Sequence, residues 1–190
     1  MAALLPACGA SPPTRYHTLQ RVDPASVPIA AASAGSSVPV RLEPVTIPAE
    51  LDRLAIVTRS APYRVEIADS DRWAAPLDDQ IRRVLSDDLA TRLPAHRMVD
   101  PYEPAGSEPR RQLSVVIAEF YADAACAIEL RADWSLSGPL ASPDRGIETI
   151  QLPGGGCHGS VATAMSAALG QLADRLAAAI LAEPATPSER

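Results

Sequence analysis

A strict alternation of apolar and polar residues over positions 126–136 constrains this chain more than any other feature. The apolar positions are Ile128, Leu130, Ala132, Trp134 and Leu136, and the polar positions between them are Glu129, Arg131, Asp133 and Ser135. Because successive side chains of a strand point to opposite faces, this pattern predicts a strand with one face on the core and one in water. The sheet that contains it is therefore covered on one side.

Other segments with strand-like composition accompany this one. We predict them at 14–20, 38–47, 53–59, 63–68, 112–121 and 146–152. The last three strands of the chain then form an antiparallel meander. We place Ser135 opposite Gly146 in its second hairpin. Pro39 and Pro44 interrupt the segment at 38–47, and this favours a bent or edge strand there. We expect the strand faces or edges nearby, at 51–59, to contribute to self-association or partner docking.

Two stretches have the apolar period of a helix. The first has Leu77, Ile81, Val84, Leu85 and Leu89 on one face, and the second has Val161, Met165, Ala168, Leu169, Leu172, Leu176 and Ile180. We predict that Ser70 or Asp71 caps the first helix, that Pro94 ends it, and that Ser160 caps the second. The charged residues of the first helix are expected mainly on a solvated outer face. They are Asp78, Asp79, Arg82, Arg83, Asp87 and Asp88.

This order of elements predicts a two-layer α/β fold, in which a mixed or antiparallel sheet carries two main helices. A single domain at 14–183 accounts for the length of 190 residues. Residues 1–13 are expected to be the remnant of a signal peptide and a tether, and residues 184–190 a flexible tail. The formal net charge of −6 argues against nucleic acid as a partner.

Three sets of residues, taken in order, resemble the ABC-type transport auxiliary lipoprotein family over roughly 14–182. They are LDR at 51–53 with IVTR at 56–59 and RWAAPL at 72–77, then Phe120 with 128–134 and Leu136, and last the alanine-rich final helix. The resemblance implies a fold similar to the N-terminal domain of TolB. It also implies an MCE-domain protein and an ABC-type or related permease as partners, self-association into an oligomer, and no cofactor.

The N-terminus reads LPAC at 5–8, which resembles the lipobox of a bacterial lipoprotein. Cys8 is then the lipid anchor, and Gly9 rather than an aspartate directs the protein to the periplasmic face of the outer membrane. Only seven residues precede Cys8, none of them Lys or Arg, whereas a signal needs a charged start and an apolar stretch. Either the sequence begins inside the signal or its start codon lies further upstream. The alternative is an unrelated cysteine in a terminal tail.

The segment GGGCHGS at 154–160 is the one enzyme-like motif. A cysteine at a helix start can be a nucleophile, and a glycine loop there can hold phosphate. Cys157 lacks a base and an orienting group, however, since His158 is its direct neighbour, and no GK[ST] sequence follows. The histidines show no metal-ligand spacing, and the segment 161–182 is too polar for a membrane span. We therefore expect no enzyme and no metal site.

The hairpin register places Cys126 two residues from the position opposite Cys157, and this predicts a disulfide between them in an oxidising compartment.

Arg53, Arg59 and Trp73 are candidate interface residues. The two arginines either pair with acidic residues across the hairpin or contact a partner.

The function that the resemblance implies is docking within an envelope transport system for lipids or other hydrophobic molecules. The alternative is a stand-alone periplasmic module that binds a lipid or small molecule in an apolar cavity between sheet and helices.

Overall fold

The computed structural model describes residues 12–24, 38–100, 102–103, 110–138, 141–154 and 161–182, with only the backbone described at 141–143. These ranges contain eight strands and two helices. The strands are β1 (Arg15–His17), β2 (Val40–Leu42), β3 (Ala55–Ala61), β4 (Arg64–Trp73), β5 (Met98–Val99), β6 (Arg111–Asp123), β7 (Ile128–Gly138) and β8 (Ala141–Leu152). The helices are α1 (Leu77–Arg92) and α2 (Val161–Ala182).

All eight strands join one mixed sheet, which is organised around β6. On one side β6 pairs antiparallel with β7, and β7 pairs antiparallel with β8. The other side of β6 is shared, because β2 pairs with its start and β3 with its end, both in parallel. β4 is antiparallel to β3, while β1 lies parallel beyond β4 and β5 parallel beyond β2. The predicted two-helix α/β fold is thus confirmed, and its sheet is mixed.

The strand at the centre of the sequence prediction behaves as its pattern indicates. The apolar residues of β7 are buried, and its polar residues are partly or fully exposed. α2 packs on β6, β7 and β8 and also against α1. The predicted stripe of α2 is buried from Met165 to Ile180, whereas Val161 is half-buried. Each large apolar side chain buried in this way contributes about 1.5–3 kcal/mol, so this shared core is a main source of stability.

The register of the β7–β8 hairpin differs by one residue from the prediction. Gly146 lies opposite Trp134, and Ser135 lies opposite Arg145. A Cβ atom at Gly146 would lie 2.8 Å from the indole ring of Trp134. Gly146 has no side chain, so the indole ring can lie over it. This packing selects the observed register.

The start of α1 is also different from the prediction. The helix begins at Leu77, with Pro76 at the cap position and no side-chain cap. Neither Ser70 nor Asp71 caps it, because both residues belong to β4. The carboxylate of Asp71 instead accepts hydrogen bonds from Arg15 at 2.6 and 2.9 Å, and its Oδ1 lies 2.8 Å from Nε2 of His17. Asp71 thus ties β1 to β4. The end of α1 agrees with the prediction, since Leu93 is its C-cap and Pro94 follows.

The segment at 38–47 is not an edge strand, because β2 lies between β5 and the start of β6. β3, near the edge expected at 51–59, is also an internal strand. It lies between β4 and the end of β6. The prolines at 39 and 44 flank β2, which is short, and their effect does not extend to β3. The outer side of the sheet near β3 is formed by β4, whose pairing with β1 covers only positions 71–73.

Asp88 is not on an outer face, because the segment at 18–22 lies over it. Its side chain is fully buried and accepts a hydrogen bond from the backbone N–H of Val22 at 3.0 Å. Arg92, also buried, donates to Asp88 at 3.3 Å, to the carbonyl of Val22 at 3.3 Å and to Asp174 of α2 at 2.5 Å. A Cβ at Gly170 would lie 3.2 Å from Val22, so α2 also allows the close approach of this segment.

Other side chains of the helices bind the backbone of the same segment. Gln80 accepts the N–H of Leu19 at 2.9 Å, Arg83 donates to the carbonyl of Leu19 at 3.0 Å, and Ser166 accepts the N–H of Gln20 at 3.1 Å. We call residues 18–22 the N-terminal strap. A buried backbone needs such partners, and the polar positions of α1 and α2 supply them.

Candidate docking surface

The face of the sheet opposite α2 has a cluster of charged side chains around Arg59. The guanidinium of Arg59 donates to Glu129 at 2.6 Å and to Glu119 at 3.2 Å. It also lies 4.3 Å from the centre of the Tyr121 ring. In the backbone register, Arg59 of β3 lies opposite Asp123 of the parallel strand β6. Tyr121 of β6 lies opposite Glu129 of the antiparallel strand β7. The register of three strands therefore assembles the cluster.

Tyr121 connects this cluster to the loop before β3. Its hydroxyl donates to Glu50 at 2.7 Å. Burial, and then this hydrogen bond, raise the pKa of Tyr121 to about 12. The same bond lowers the pKa of Glu50. Tyr121 therefore stays protonated as a donor at any physiological pH, and the loop carrying Glu50 is held against the sheet.

A cavity of about 830 Å³ adjoins the Arg59 cluster. The end of β3 and its turn form one wall, at Ala61 and Pro62, and Asp123, Glu129 and Leu152 form others. It lies on the open face, whereas the space between sheet and helices is filled by side chains such as Phe120, Leu130 and Leu169, which are fully buried. Its charged lining residues are one arginine and two acids, so the cavity does not favour a phosphate group.

The predicted interface residues lie in different environments. Arg53 is exposed in the turn before β3. Arg59 is half-buried and bound to acids of β6 and β7, rather than to acids across its own hairpin. Trp73 is buried in the core, at 2% exposure. Arg53 is thus the member of this set whose charge a partner can reach directly.

The predicted lipid anchor Cys8 and the thiol of Cys157 lie outside the described residues, as do His158 and Ser160. Cys126 forms a disulfide bond, and its partner also lies outside them. The chain at Gly154 runs beside Ala125, because a Cβ added at Gly154 would overlap the carbonyl oxygen of Ala125. Cys157 follows only three residues later. The pairing of Cys126 with Cys157 stays a prediction, and this proximity supports it.

The described part of the chain shows neither a metal-binding cluster nor a membrane-spanning helix. Within it, no group of three or more His, Cys, Asp or Glu side chains is arranged to hold a metal ion. Of the two helices described, neither is long and apolar enough to cross a membrane. His17 contacts Asp71, and His96 is exposed with a backbone φ of 62°.

The pairing that builds the Arg59 cluster was not predicted from the sequence. Glu129 could be placed on the polar face of β7 by its parity, but the parallel contact of β3 with β6 joins residues about 60 positions apart. The sequence signal for this cluster is weak. It consists of Arg59 in β3 and of Glu119 and Glu129, which lie at alternating positions of β6 and β7.

Comparison with known proteins identifies the class to which a chain with this fold belongs. The model of the family described as "ABC-type transport auxiliary lipoprotein component" matches residues 17–177. The chain therefore belongs to this family, which is one of transport components rather than of enzymes.

Individual relatives are consistent with this assignment. The Intermembrane transport lipoprotein PqiC of Escherichia coli (strain K12) is 30% identical over 116 residues, as is that of Shigella flexneri. The match covers 60% of this chain and 60% of the length of each of these curated relatives.

Two solved structures share the fold. A crystal structure of an uncharacterised protein has a TM-score of 0.66 at 21% identity, and the match covers 90% of this chain and 97% of that one. A protein from Xanthomonas campestris, of the family DUF330, has a TM-score of 0.63 at 16% identity, with coverage of 87% and 93%.

Proposed function

We propose that the protein is a lipid-anchored periplasmic component of an envelope transport system that moves lipids or other hydrophobic molecules between membranes. It is attached to the outer membrane through Cys8, and it acts by docking onto an MCE-domain protein that works with an ABC-type or related permease. The observation that carries the proposal is the family match over 17–177. The likeness to PqiC, whose name describes an intermembrane transport lipoprotein, supports the kind of transport.

The open face of the sheet supports docking rather than catalysis. Arg59 is engaged by two carboxylates and a tyrosine ring, so the cluster is a rigid, ion-paired surface. A nucleophile with a base and an orienting group is the minimum for covalent catalysis, and the Arg59 cluster contains no such set. Rigid, complementary charge on a surface gives a partner specificity and orientation.

The anchor can be tested with the chain expressed behind a complete lipoprotein signal peptide. We expect the wild type in the outer-membrane fraction, with an N-terminal peptide whose mass includes acyl chains. Cys8→Ala should lose both properties and appear in the soluble periplasm. Two or more acyl chains hold a protein durably, because each buried CH₂ contributes about 0.8 kcal/mol. Unchanged fractionation and peptide mass in Cys8→Ala would contradict the proposed anchor.

The cavity beside Arg59 favours a second candidate function, the binding of a small ligand by this chain alone. A volume of about 830 Å³ is sufficient for a small molecule. The acidic lining favours an uncharged or cationic ligand over a phospholipid head group. If this function holds, such a ligand co-purifies with the wild type, and Leu152→Trp, which fills the cavity, excludes it.

A further inference from the structure

The tip of the β3–β4 hairpin presents an apolar row to solvent. Tyr63 is fully exposed, and Val65 and Ile67 are 43% and 50% exposed. Val65 and Ile67 share one face of β4, while Glu66 points to the other. Three large apolar side chains in a row on a protruding hairpin indicate a surface that is covered in the assembled state.

The backbone at the tip is strained at the residue that carries the exposed aromatic ring. Tyr63 follows Pro62 in a two-residue turn between the paired residues Ala61 and Arg64. Its φ of 65° lies in the left-handed region, which bulky residues rarely adopt. Strain of this kind persists where the surroundings impose it and often accompanies a functional surface.

The direction of β1 shows which surface meets this tip. β1 runs parallel to β4, with Arg15 opposite Asp71. Followed back from Arg15 toward the N-terminus, the chain therefore heads along β4 in the direction of the tip. Tyr63 precedes Asp71 by eight residues, which corresponds to about 26 Å along a strand at 3.3 Å per residue.

The tether is no longer than the hairpin. Cys8 precedes Arg15 by seven residues, and seven residues span at most about 25 Å when fully extended. Cys8 can therefore reach the level of the tip but not pass it, so an acyl chain attached to Cys8 enters the bilayer no further out than the tip. A bilayer held by that acyl chain in the direction of β1 must meet the hairpin.

We propose that Tyr63, Val65 and Ile67 form a membrane-contact tip, which rests in the surface of the bilayer that holds the lipid anchor. The inference rests on the proposed acylation of Cys8. Tyrosine suits this position because its ring is apolar and its hydroxyl remains hydrated, as in the aromatic belts of membrane proteins. Arg64, next to it, extends an apolar stem and a charged end in the same way. The tip and the acyl chains together fix the orientation of the domain on the membrane.

The test uses the full acylated chain bound to phosphatidylcholine vesicles whose acyl chains carry bromine, a short-range quencher of tryptophan. Tyr63→Trp is the reporter, because Trp73 and Trp134 are both buried and form a constant background. The matched control is Tyr102→Trp. Tyr102 is 57% exposed, but it follows β5, which is connected through β2 to the start of β6. The β3–β4 hairpin is connected instead to the end of β6. Val65→Trp is the second reporter if Tyr63→Trp does not fold.

We expect the emission of Tyr63→Trp to shift to the blue and to be quenched on brominated vesicles, and that of Tyr102→Trp to be unaffected. If Tyr63→Trp and Val65→Trp both float with the vesicles but are not quenched, the membrane-contact tip is wrong, the anchor stands, and a protein partner covers the hairpin. If the wild-type chain does not float although Cys8 is present, the anchor itself is wrong, and this inference is overturned with it.

Discussion

At the scale of single residues, the buried ion pair of Asp88 and Arg92 connects three parts of the fold. It joins α1 to the N-terminal strap and, through Asp174, to α2. Burial raises the pKa of Asp88, even though the hydrogen bond from Val22 and the charge of Arg92 oppose the shift. The carboxylate is therefore held in an environment that tolerates its charge only while these partners are present.

Arg92→Met should destabilise the fold by about 3–5 kcal/mol, because removal of one partner leaves a buried charge uncompensated. Urea unfolding followed by circular dichroism measures this change. The double variant Asp88→Leu/Arg92→Met should recover part of the loss, since the unpaired carboxylate is gone. Arg83→Met is the control, because Arg83 is exposed and donates to the strap with a single bond. A similar loss in the control, or a double variant no more stable than Arg92→Met, would show that the pair has no special role.

At the scale of elements, β1 depends on the carboxylate of Asp71. The hydrogen bonds from Arg15, and next from His17, lower the pKa of Asp71. A carboxyl with a lowered pKa in the folded state contributes stability above its unfolded pKa, about 3.9. That contribution is lost as the pH falls through the lower, folded pKa. The attachment of β1, and with it the exit of the tether, is therefore expected to weaken in acid.

The variant Asp71→Asn tests this account. The free energy of unfolding of the wild type should exceed that of Asp71→Asn by a constant amount above the unfolded pKa. The difference should shrink as the pH is lowered through the folded pKa, because the wild-type carboxyl then becomes neutral as well. Denaturation curves of both proteins over a pH series provide the measurement. A difference that grows toward low pH would have the wrong sign for this mechanism.

Much of this element structure could be predicted from local pattern. The alternation of β7 and the apolar stripe of α2 are short-range signals, and both were confirmed. The burial of Asp88 could not be predicted in this way, because its position in α1 looks solvated until the strap covers it. The interior position of β3 depends on a long-range parallel contact with β6, and the one-residue shift of the hairpin depends on how Trp134 packs on Gly146. The implied likeness to the TolB N-terminal domain stays a prediction.

The link between the start of β7 and the end of β8 gives a further prediction. We expect Cys126 to be bonded to Cys157, because the chain at Gly154 already runs beside Ala125 and an acylated Cys8 has no free thiol. Mapping of peptides from the unreduced protein should find the two segments linked. Closing a loop of this size contributes on the order of 3–4 kcal/mol, so reduction should lower the thermal midpoint. A Cys126 peptide linked to Cys8 would contradict both the pairing and the anchor.

At the scale of the whole molecule, the two faces of the sheet have different roles. The helices and the N-terminal strap cover one face and supply the stability. Neither of the two described helices packs on the other face, which carries the Arg59 cluster with the exposed Arg53 near it. Arg59 itself is a poor site for a test by charge reversal, because Glu119 and Glu129 would then face a third carboxylate. Arg53 offers the cleaner probe of this surface.

The central claim, docking onto an MCE-domain protein, is tested most directly by the affinity between the two purified partners from the same cell envelope. The control is Arg145→Glu, which reverses an exposed charge on β8 near the turn of the β7–β8 hairpin, at the opposite end of that hairpin from Glu129. We predict that this control and the wild type bind with equal affinity. Arg53→Glu should bind at least about tenfold more weakly, which corresponds to about 1.4 kcal/mol, while its unfolding curve is unchanged. Equal binding by Arg53→Glu would place the interface elsewhere on the molecule. No measurable binding by the acylated wild-type chain would contradict the account itself.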